Sequence, residues 1–485
     1  MSSNDQLTAL DATFLELEQA DDGALMHIGG TLVFEPLPGG GAPPIGEVRA
    51  QLERRLDLLP RYRQKLSTPR TGGLSWPFWE HDQHFEIEAH VRHATLPSPG
   101  DEHEFLDWIS DFYSHRLDRS RPLWEVALLS GLAHERWAVV WKTHHCLVDG
   151  VGSIDIAHLL LDTDPTPPEQ PAGHAAPGSA SAEARHRWLP DSPALLGQTA
   201  GASIGAGRAG AHALLHPREA LEHSRALIDL LVRDRLIAAP RSSLNVPIGA
   251  TRQIATAHAE LQELQQVRSA LGGTLNDLVL CAATGGLREL LIARGEDPPR
   301  QGLRAMVPVS VRHKQAHGQL GNKVSSLFVE LAVAEADPRR RYELVCLAAE
   351  KHKAAGQALA VSTVTGLTEL APPVLHASLA RSLYSNRLFN LTITNVPGPQ
   401  VPLYGFGAPL IEIIPIVPLA AEHTLGIAVI SYAGAMTFGL YADRATMPDL
   451  DLLRDGIATS LAELAALAHE TAADGRRPRT NHSRI

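Results

Sequence analysis

The stretch Trp137–Gly152, WAVVWKTHHCLVDGVG, constrains this chain more than any other. Residues 137–143 are β-branched or aromatic apart from Ala138 and Lys142, which predicts a largely buried strand. The strand runs directly into His144 and His145, then Asp149 and Gly150, in the pattern HHxxxDG. Polar rings at the end of a buried strand need partners or solvent. Gly150 and Gly152 let the backbone turn sharply, and Ser153 is placed to cap a helix running to about Leu161. A strand end that opens into a glycine-rich turn can aim a side chain into a cleft.

The residue types define the chemistry on offer. A histidine near its ordinary pKa takes a proton from a hydroxyl at neutral pH and returns it to a leaving group. Asp149 can fix an imidazole tautomer, or pair with an arginine to hold the turn. The competing reading is a pair of core histidines satisfied by backbone carbonyls. A metal site built on His144, His145 and Asp149 is disfavoured, because adjacent residues in extended chain point to opposite faces. No HExxH or CxxC occurs elsewhere to complete one. Cys146 as a nucleophile would need a histidine paired with it in space, which adjacency in sequence does not provide.

At 485 residues the chain has room for two or three domains. A net charge of −11 argues against general nucleic-acid affinity. Three cysteines, Cys146, Cys281 and Cys346, show no pairing pattern and fit a reducing, cytoplasmic setting. The polar, acidic start Met1–Asp5 predicts no secretory signal, and no uninterrupted apolar run is long enough to cross a bilayer. The expected protein is soluble, or lies on a membrane surface without spanning it.

Periodicity organises the rest. Leu7–Glu18 reads as a short helix, residues 31–34 as a strand, and Ile45–Leu59 as an amphipathic helix ending at Pro60. Trp76–Trp79 and Phe85–Val91 suggest strands, and Glu104–Arg116 a helix. Glu125–Leu129 should pair with the Trp137 strand as a hairpin, with Pro122–Trp124 a packing feature before it. Composition then shifts: residues 163–210 are rich in Pro, Ala, Gly and Ser and read as a linker, followed by an amphipathic helix over 217–237. The resulting division is a first domain over 1–162, a linker region over 163–250, a second domain over 251–472 and a disordered tail over 473–485. In the second domain Ile254–Leu261 predicts a strand, and Thr274 an N-cap with Asn276 and Asp277 in the first helical turn. Further strands are expected at 304–309, 324–331, 391–395 and 425–431, before a terminal helix over 450–468.

Several landmarks now align. They are Leu10-Asp11-Ala12 with Phe14, Met26–Gly29, Leu117-Asp118-Arg119 through Pro122-Leu123-Trp124-Glu125, and His144-His145 through Asp149-Gly150. In the second half they are Asn276-Asp277, Pro308–Ser310 with Arg312, Gly321-Asn322 and Thr394–Pro399. In this order the chain resembles the bacterial wax ester synthase/acyl-CoA:diacylglycerol acyltransferase family over nearly its whole length. The resemblance implies an α/β, sandwich-type architecture: the two-domain fold of CoA-dependent acyltransferases, shared with chloramphenicol acetyltransferase and condensation domains, with its active site in a tunnel between the domains.

It also implies roles. The second histidine of the motif, His145, would be the general base, and Asn276 an amide donor to the oxyanion, against its alternative as a residue bonding within its own helical turn. His144, Asp149, Gly150 and Asp277 would support the site. The implied reaction moves a long acyl chain from acyl-CoA to diacylglycerol, with acyl-CoA as substrate, no cofactor, no metal and no acyl-enzyme. Wax ester synthesis from a fatty alcohol is the alternative within the fold, and a non-catalytic lipid-binding protein the alternative outside it. The expected partners are acyl-CoA, diacylglycerol or a fatty alcohol, and a membrane or lipid-inclusion surface; nucleic acid is not among them.

Overall fold

The structure is a computed structural model, and it describes residues 7, 9–67, 77–147, 159–166, 239–310, 324–359 and 388–473. In chain order these form α1 (Ala9–Ala20), β1 (His27–Phe34), α2 (Ile45–Arg55), β2 (Gln64–Leu66), β3 (Trp79–His81), β4 (Val91–Thr95), α3 (Glu102–Ser114), β5 (Trp124–Ser130) and β6 (Trp137–His144). They continue with β7 (Arg252–Glu260), α4 (Leu261–Leu271), α5 (Leu275–Ala293), β8 (Leu303–Ser310), β9 (Val324–Leu331) and α6 (Pro338–Leu359). The last are β10 (Leu391–Pro397), β11 (Tyr404–Gly405), β12 (Ala408–Ile416), β13 (Leu425–Tyr432), β14 (Ala435–Asp443) and α7 (Leu450–Ala473). The amphipathic helix expected over 217–237, most of the linker and the tail lie outside the described residues.

Two six-stranded sheets carry the architecture. The first has the order β11-β12-β1-β6-β5-β4 and the second β7-β14-β13-β10-β8-β9. The expected hairpin is present: β5 and β6 are antiparallel, with Trp124 opposite Thr143 and Leu129 opposite Ala138. Every residue of β6 is buried, so the strand has no wet face on which to place polar groups. Lys142 is accommodated because its Nζ donates to the carbonyls of Phe112 and His115, both at 2.8 Å, beside Glu125 at 3.4 Å. A buried charge survives only with that many partners.

The first sheet is not built from the first half of the chain alone. On the side away from β6, β1 pairs antiparallel with β12, Gly29 opposite Ile416 and Leu32 opposite Ile413. Gly29 is required where β1 lies over β6: a Cβ there would collide with the Trp141 carbonyl and the Tyr113 hydroxyl. One hydrophobic cluster draws on both halves, joining Val33, Phe112, Tyr113 and Val140 to Ile254, Ile414, Ile416 and Tyr441.

Helix α3 adds a further contact between the halves. The Ser110 and Ser114 hydroxyls donate to their own i−4 carbonyls, Leu106 and Ser110, at 2.6 and 2.7 Å. Each then accepts a backbone N–H of β7, from Ile254 at 3.0 Å and from Arg252 at 2.8 Å. Strand β7 is the edge of the second sheet, and α3 satisfies donors that would otherwise be left open.

Three expectations are corrected. Phe85–Val91 was expected to be a strand from its alternating apolar residues, but it contains a 3₁₀ turn at Ile87–Ala89, and extended pairing begins only at Val91. The cause is tertiary. His90 Nδ1 donates to the Trp124 carbonyl at 2.8 Å and its ring stacks on both Phe85 and Trp124, drawing the chain inward before it can straighten. The helix expected over 45–59 gives way at Leu56 to a 3₁₀ turn, and Trp79 contributes only to the short β2–β3 pair.

Replacing Ser110 with alanine leaves the Ile254 N–H buried without an acceptor. That costs about 1–3 kcal/mol, and should appear as a lower Tm in thermal unfolding; a Tm equal to that of the unmodified protein would show that the edge is held by packing alone.

Candidate active site

Strand β6 ends at His144, and the chain then makes one 3₁₀ turn, His145–Leu147. The turn is pinned on both sides: the His144 N–H donates to Leu123 O at 2.9 Å, and the His145 N–H to Met26 O at 2.8 Å. The two adjacent histidines therefore leave the backbone in different directions, and both meet α1. Phe14 stacks on the His145 ring, with centroids 3.9 Å apart and planes 21° from parallel. One helical turn later, Glu18 receives the His144 ring: Nε2 lies 3.1 Å from Oε2. Phe14 and Glu18 are four residues apart, on one face of α1.

Glu18 is 3 % exposed and sits among partners. Arg119 donates to Oε2 at 2.6 Å, and His27 Nε2 lies 3.7 Å from Oε1. Burial alone would raise this carboxyl. The hydrogen bond from His144, with His27 and Arg119 alongside, outweighs it and holds the pKa at about 2. His27 is driven well below the ordinary histidine value, first by burial and next by Lys142, and neither of its ring nitrogens has a hydrogen-bond partner among the described residues.

His144 is committed at both ring nitrogens. Its Nδ1 accepts the Cys146 backbone N–H at 3.1 Å and its Nε2 faces Glu18. Burial lowers its pKa, against the pull of Glu18. Neither nitrogen is left for a substrate proton or a metal ion.

His145 differs in each respect. The residue keeps some access to solvent, and its ring makes no hydrogen bond to another described residue. Burial lowers its pKa to about 4, while its own backbone carbonyl, facing the ring, pulls the other way. The access to solvent limits how far that depression goes. Nδ1 is buried without a hydrogen-bond partner among the described residues, and a neutral ring keeps one nitrogen free of its proton, which is what a base requires. Burial pushes the Cys146 thiol well above its ordinary value, so no thiolate nucleophile forms there at neutral pH.

Thr274 caps α5, and the capping box is complete: the Asp277 N–H donates to Thr274 Oγ1 at 3.2 Å, and Asp277 Oδ2 accepts the Thr274 N–H at 2.8 Å. Asp277 is thus spent on the helix start, with Oδ1 buried and unpartnered among the described residues. Asn276 is half-buried beside it, and makes no hydrogen bond to the histidine turn among the described residues. Asp149 and Gly150 lie outside the described residues.

The participants not assigned from sequence are Glu18, Arg119 and His27, with Phe14 as the stacking partner of His145. A signal was present for one of them. Glu18 stands one turn after Phe14 on a helix face that carries Leu10 and Leu15 as well as Asp11, and a charge beside apolar neighbours asks for a buried partner.

Similarity to known proteins extends over nearly the whole chain. Residues 7–279 match the wax ester synthase/diacylglycerol acyltransferase catalytic domain, and residues 320–465 the C-terminal domain of the same family. A probable diacylglycerol O-acyltransferase of Mycobacterium tuberculosis, tgs1, is 31 % identical over 482 residues, covering 97 % of this chain and 98 % of that protein. A second from the same organism, tgs2, is 33 % identical over 460 residues, covering 94 % and 97 %. Among solved structures, the wax ester synthase/diacylglycerol acyltransferase of Marinobacter aquaeolei superposes with a TM-score of 0.71 at 28 % identity, covering 96 % of this chain and all of that one. The starter condensation domain of rhizomide synthetase shares the fold at a TM-score of 0.53 and 15 % identity, covering 99 % and 97 %. Matched from residue 7 to residue 465, in order and through both of its characteristic domains, the chain belongs to the wax ester synthase/diacylglycerol acyltransferase family.

Proposed function

We propose that this chain transfers a long acyl group from acyl-CoA to the free hydroxyl of diacylglycerol, with His145 as general base. One observation supports the assignment within the motif: both ring nitrogens of His144 are occupied by protein groups, and among the described residues those of His145 are not. The acceptor hydroxyl gives its proton to Nε2 as its oxygen attacks the thioester carbonyl. The tetrahedral intermediate collapses by breaking the carbon–sulfur bond, and the CoA thiolate takes the proton back from the imidazolium. The named relatives support diacylglycerol as acceptor, and the dual name of the family keeps a fatty alcohol as the second reading. Purified protein given acyl-CoA with diacylglycerol and, separately, a long-chain alcohol decides between triacylglycerol and wax ester by product analysis; no ester from either would leave a lipid-binding role.

Contact with a lipid surface has support at the end of β10. Residues 388–411 carry no charged side chain, in a protein that is 20 % charged. Within them the end of β10 exposes Val396 (37 %) next to Pro397, and the loop that follows exposes Val401 (51 %) next to Pro402. Gln400 fastens this loop to the β13–β14 turn through Ser431 Oγ at 3.1 Å and the Gly434 N–H at 3.0 Å. An uncharged, braced, apolar tip suits a neutral lipid surface, and the net charge of −11 disfavours an anionic one. Among the described residues no helix is long and apolar enough to cross a membrane.

His145→Ala should lower kcat by about 10²- to 10⁴-fold, and full turnover in that variant would remove it as the base. The acid limb of kcat/KM should fall below the ordinary histidine range, because burial depresses the pKa of the group that must be unprotonated; a limb at or above that range would contradict it. Asn276→Ala should reduce kcat by about 10²-fold with little change in KM for acyl-CoA if its amide meets the oxyanion, whereas an unchanged kcat leaves it a helix residue only. Val396→Asp with Val401→Asp should weaken flotation with neutral, diacylglycerol-containing vesicles by roughly ten-fold at unchanged Tm; undiminished flotation would place the membrane contact elsewhere.

A further inference from the structure

The geometry points to Glu18 as a positioning residue that holds the proton of His144 on Nε2 and thereby fixes the turn that presents His145. This rests on His145 being the base, and the argument runs through donors and acceptors alone. The Cys146 backbone N–H can only donate, so the His144 Nδ1 that receives it at 3.1 Å carries no proton. A neutral imidazole has one N–H, which must then be on Nε2. That nitrogen is buried and needs an acceptor, and Glu18 Oε2 at 3.1 Å is the one provided. An ionised carboxylate accepts and never donates, so this pair allows one tautomer only.

The consequence reaches the neighbouring residue through the backbone. The amide before the His145 Cα is tied to Met26 O, and the amide after it to the His144 ring. If His144 carried its proton on Nδ1 instead, that N–H would face the Cys146 N–H, donor against donor, and the turn would open. Helix α1 therefore acts on His145 twice, through the Phe14 ring stacked on it and through Glu18 by way of His144. Arg119 at 2.6 Å keeps the carboxylate charged and in place.

A purely structural role predicts something different. If Glu18 served only as the buried partner of Arg119, removing its charge would be harmful whatever hydrogen bonds survived. If it sets the tautomer, an uncharged acceptor of the same shape suffices. In Glu18→Gln the amide oxygen can occupy the Oε2 position and accept from both His144 and Arg119, with the NH₂ group turned toward His27 Nε2.

The test combines kinetics with histidine-selective ¹⁵N labelling, in which long-range ¹H–¹⁵N correlations report which ring nitrogen is protonated. His144 is assigned by its absence from His144→Asn. In the unmodified protein His144 should be neutral with its proton on Nε2; a proton on Nδ1, or a charged ring, overturns the proposal without any further variant being needed. Glu18→Leu should lose about ten- to a hundred-fold in kcat, the scale of a misplaced catalytic group, with KM for acyl-CoA little changed and the His144 signal altered. Glu18→Gln should restore the tautomer and most of kcat. Normal kcat in a folded Glu18→Leu, or a Glu18→Gln as impaired as Glu18→Leu with its tautomer intact, overturns the positioning role and leaves His145 as base untouched. The base itself fails only if His145→Ala is active. If Glu18→Leu does not fold, the Glu18→Gln kinetics and the tautomer in the unmodified protein still decide.

Discussion

Strand β1 has a partner on each side, and the two partners come from opposite ends of the chain. β6 brings the histidine turn to one of its edges, and β12 brings the second half of the protein to the other. His27, the first residue of β1, lies opposite His144, the last of β6, so the register of this one strand pair sets the level at which the histidine turn begins. Slipping it by one residue would send Lys142 to the other face and away from its carbonyl partners. The glycines of β1 allow the close approach, since Gly29 has the Trp141 carbonyl and the Tyr113 hydroxyl where a side chain would start.

Buried polar groups in this protein follow one economy. Lys142 is neutralised mainly by main-chain carbonyls at a helix end, and Arg252 by the carbonyls of Gly23, Gly249 and Thr251 with Asp443 nearby. Glu18 takes its partners from side chains instead. Carbonyls offer fixed positions, and the result is a support. Side chains have protonation states, and the result at Glu18 is a constraint on which tautomer a neighbour adopts. The difference separates the scaffold from the region around His145, although all three charges lie in equally dry surroundings.

Local signals in the sequence were reliable where the cause of structure was local. The buried strand ending in two histidines, the hairpin with Glu125–Leu129, and the Thr274 cap with Asp277 in the first turn follow from neighbouring residues and are present. The resemblance set His145 apart from His144, and the structure shows a difference between them: both ring nitrogens of His144 have protein partners. What could not be read was fixed by distant partners. Nothing near Ala408–Ile416 announces that it joins the sheet of β1, nothing near Phe85 shows that His90 will fold beneath it, and Glu18 gains its meaning only once Arg119, His27 and His144 surround it. Periodicity reports which face is dry; it does not report what waits on the other side.

The pairing of Gly29 with Ile416 also governs the order in which the protein can be completed. At a synthesis rate of roughly 5–20 residues per second, β1 and β6 emerge tens of seconds before β12 exists. For that interval the first sheet has an open edge on β1, flanked by apolar residues that will later be covered by Ile413, Ile414 and Ile416. A nascent chain of this protein therefore carries an unfinished sheet through most of its synthesis, and closes it with nearly the last strands it makes.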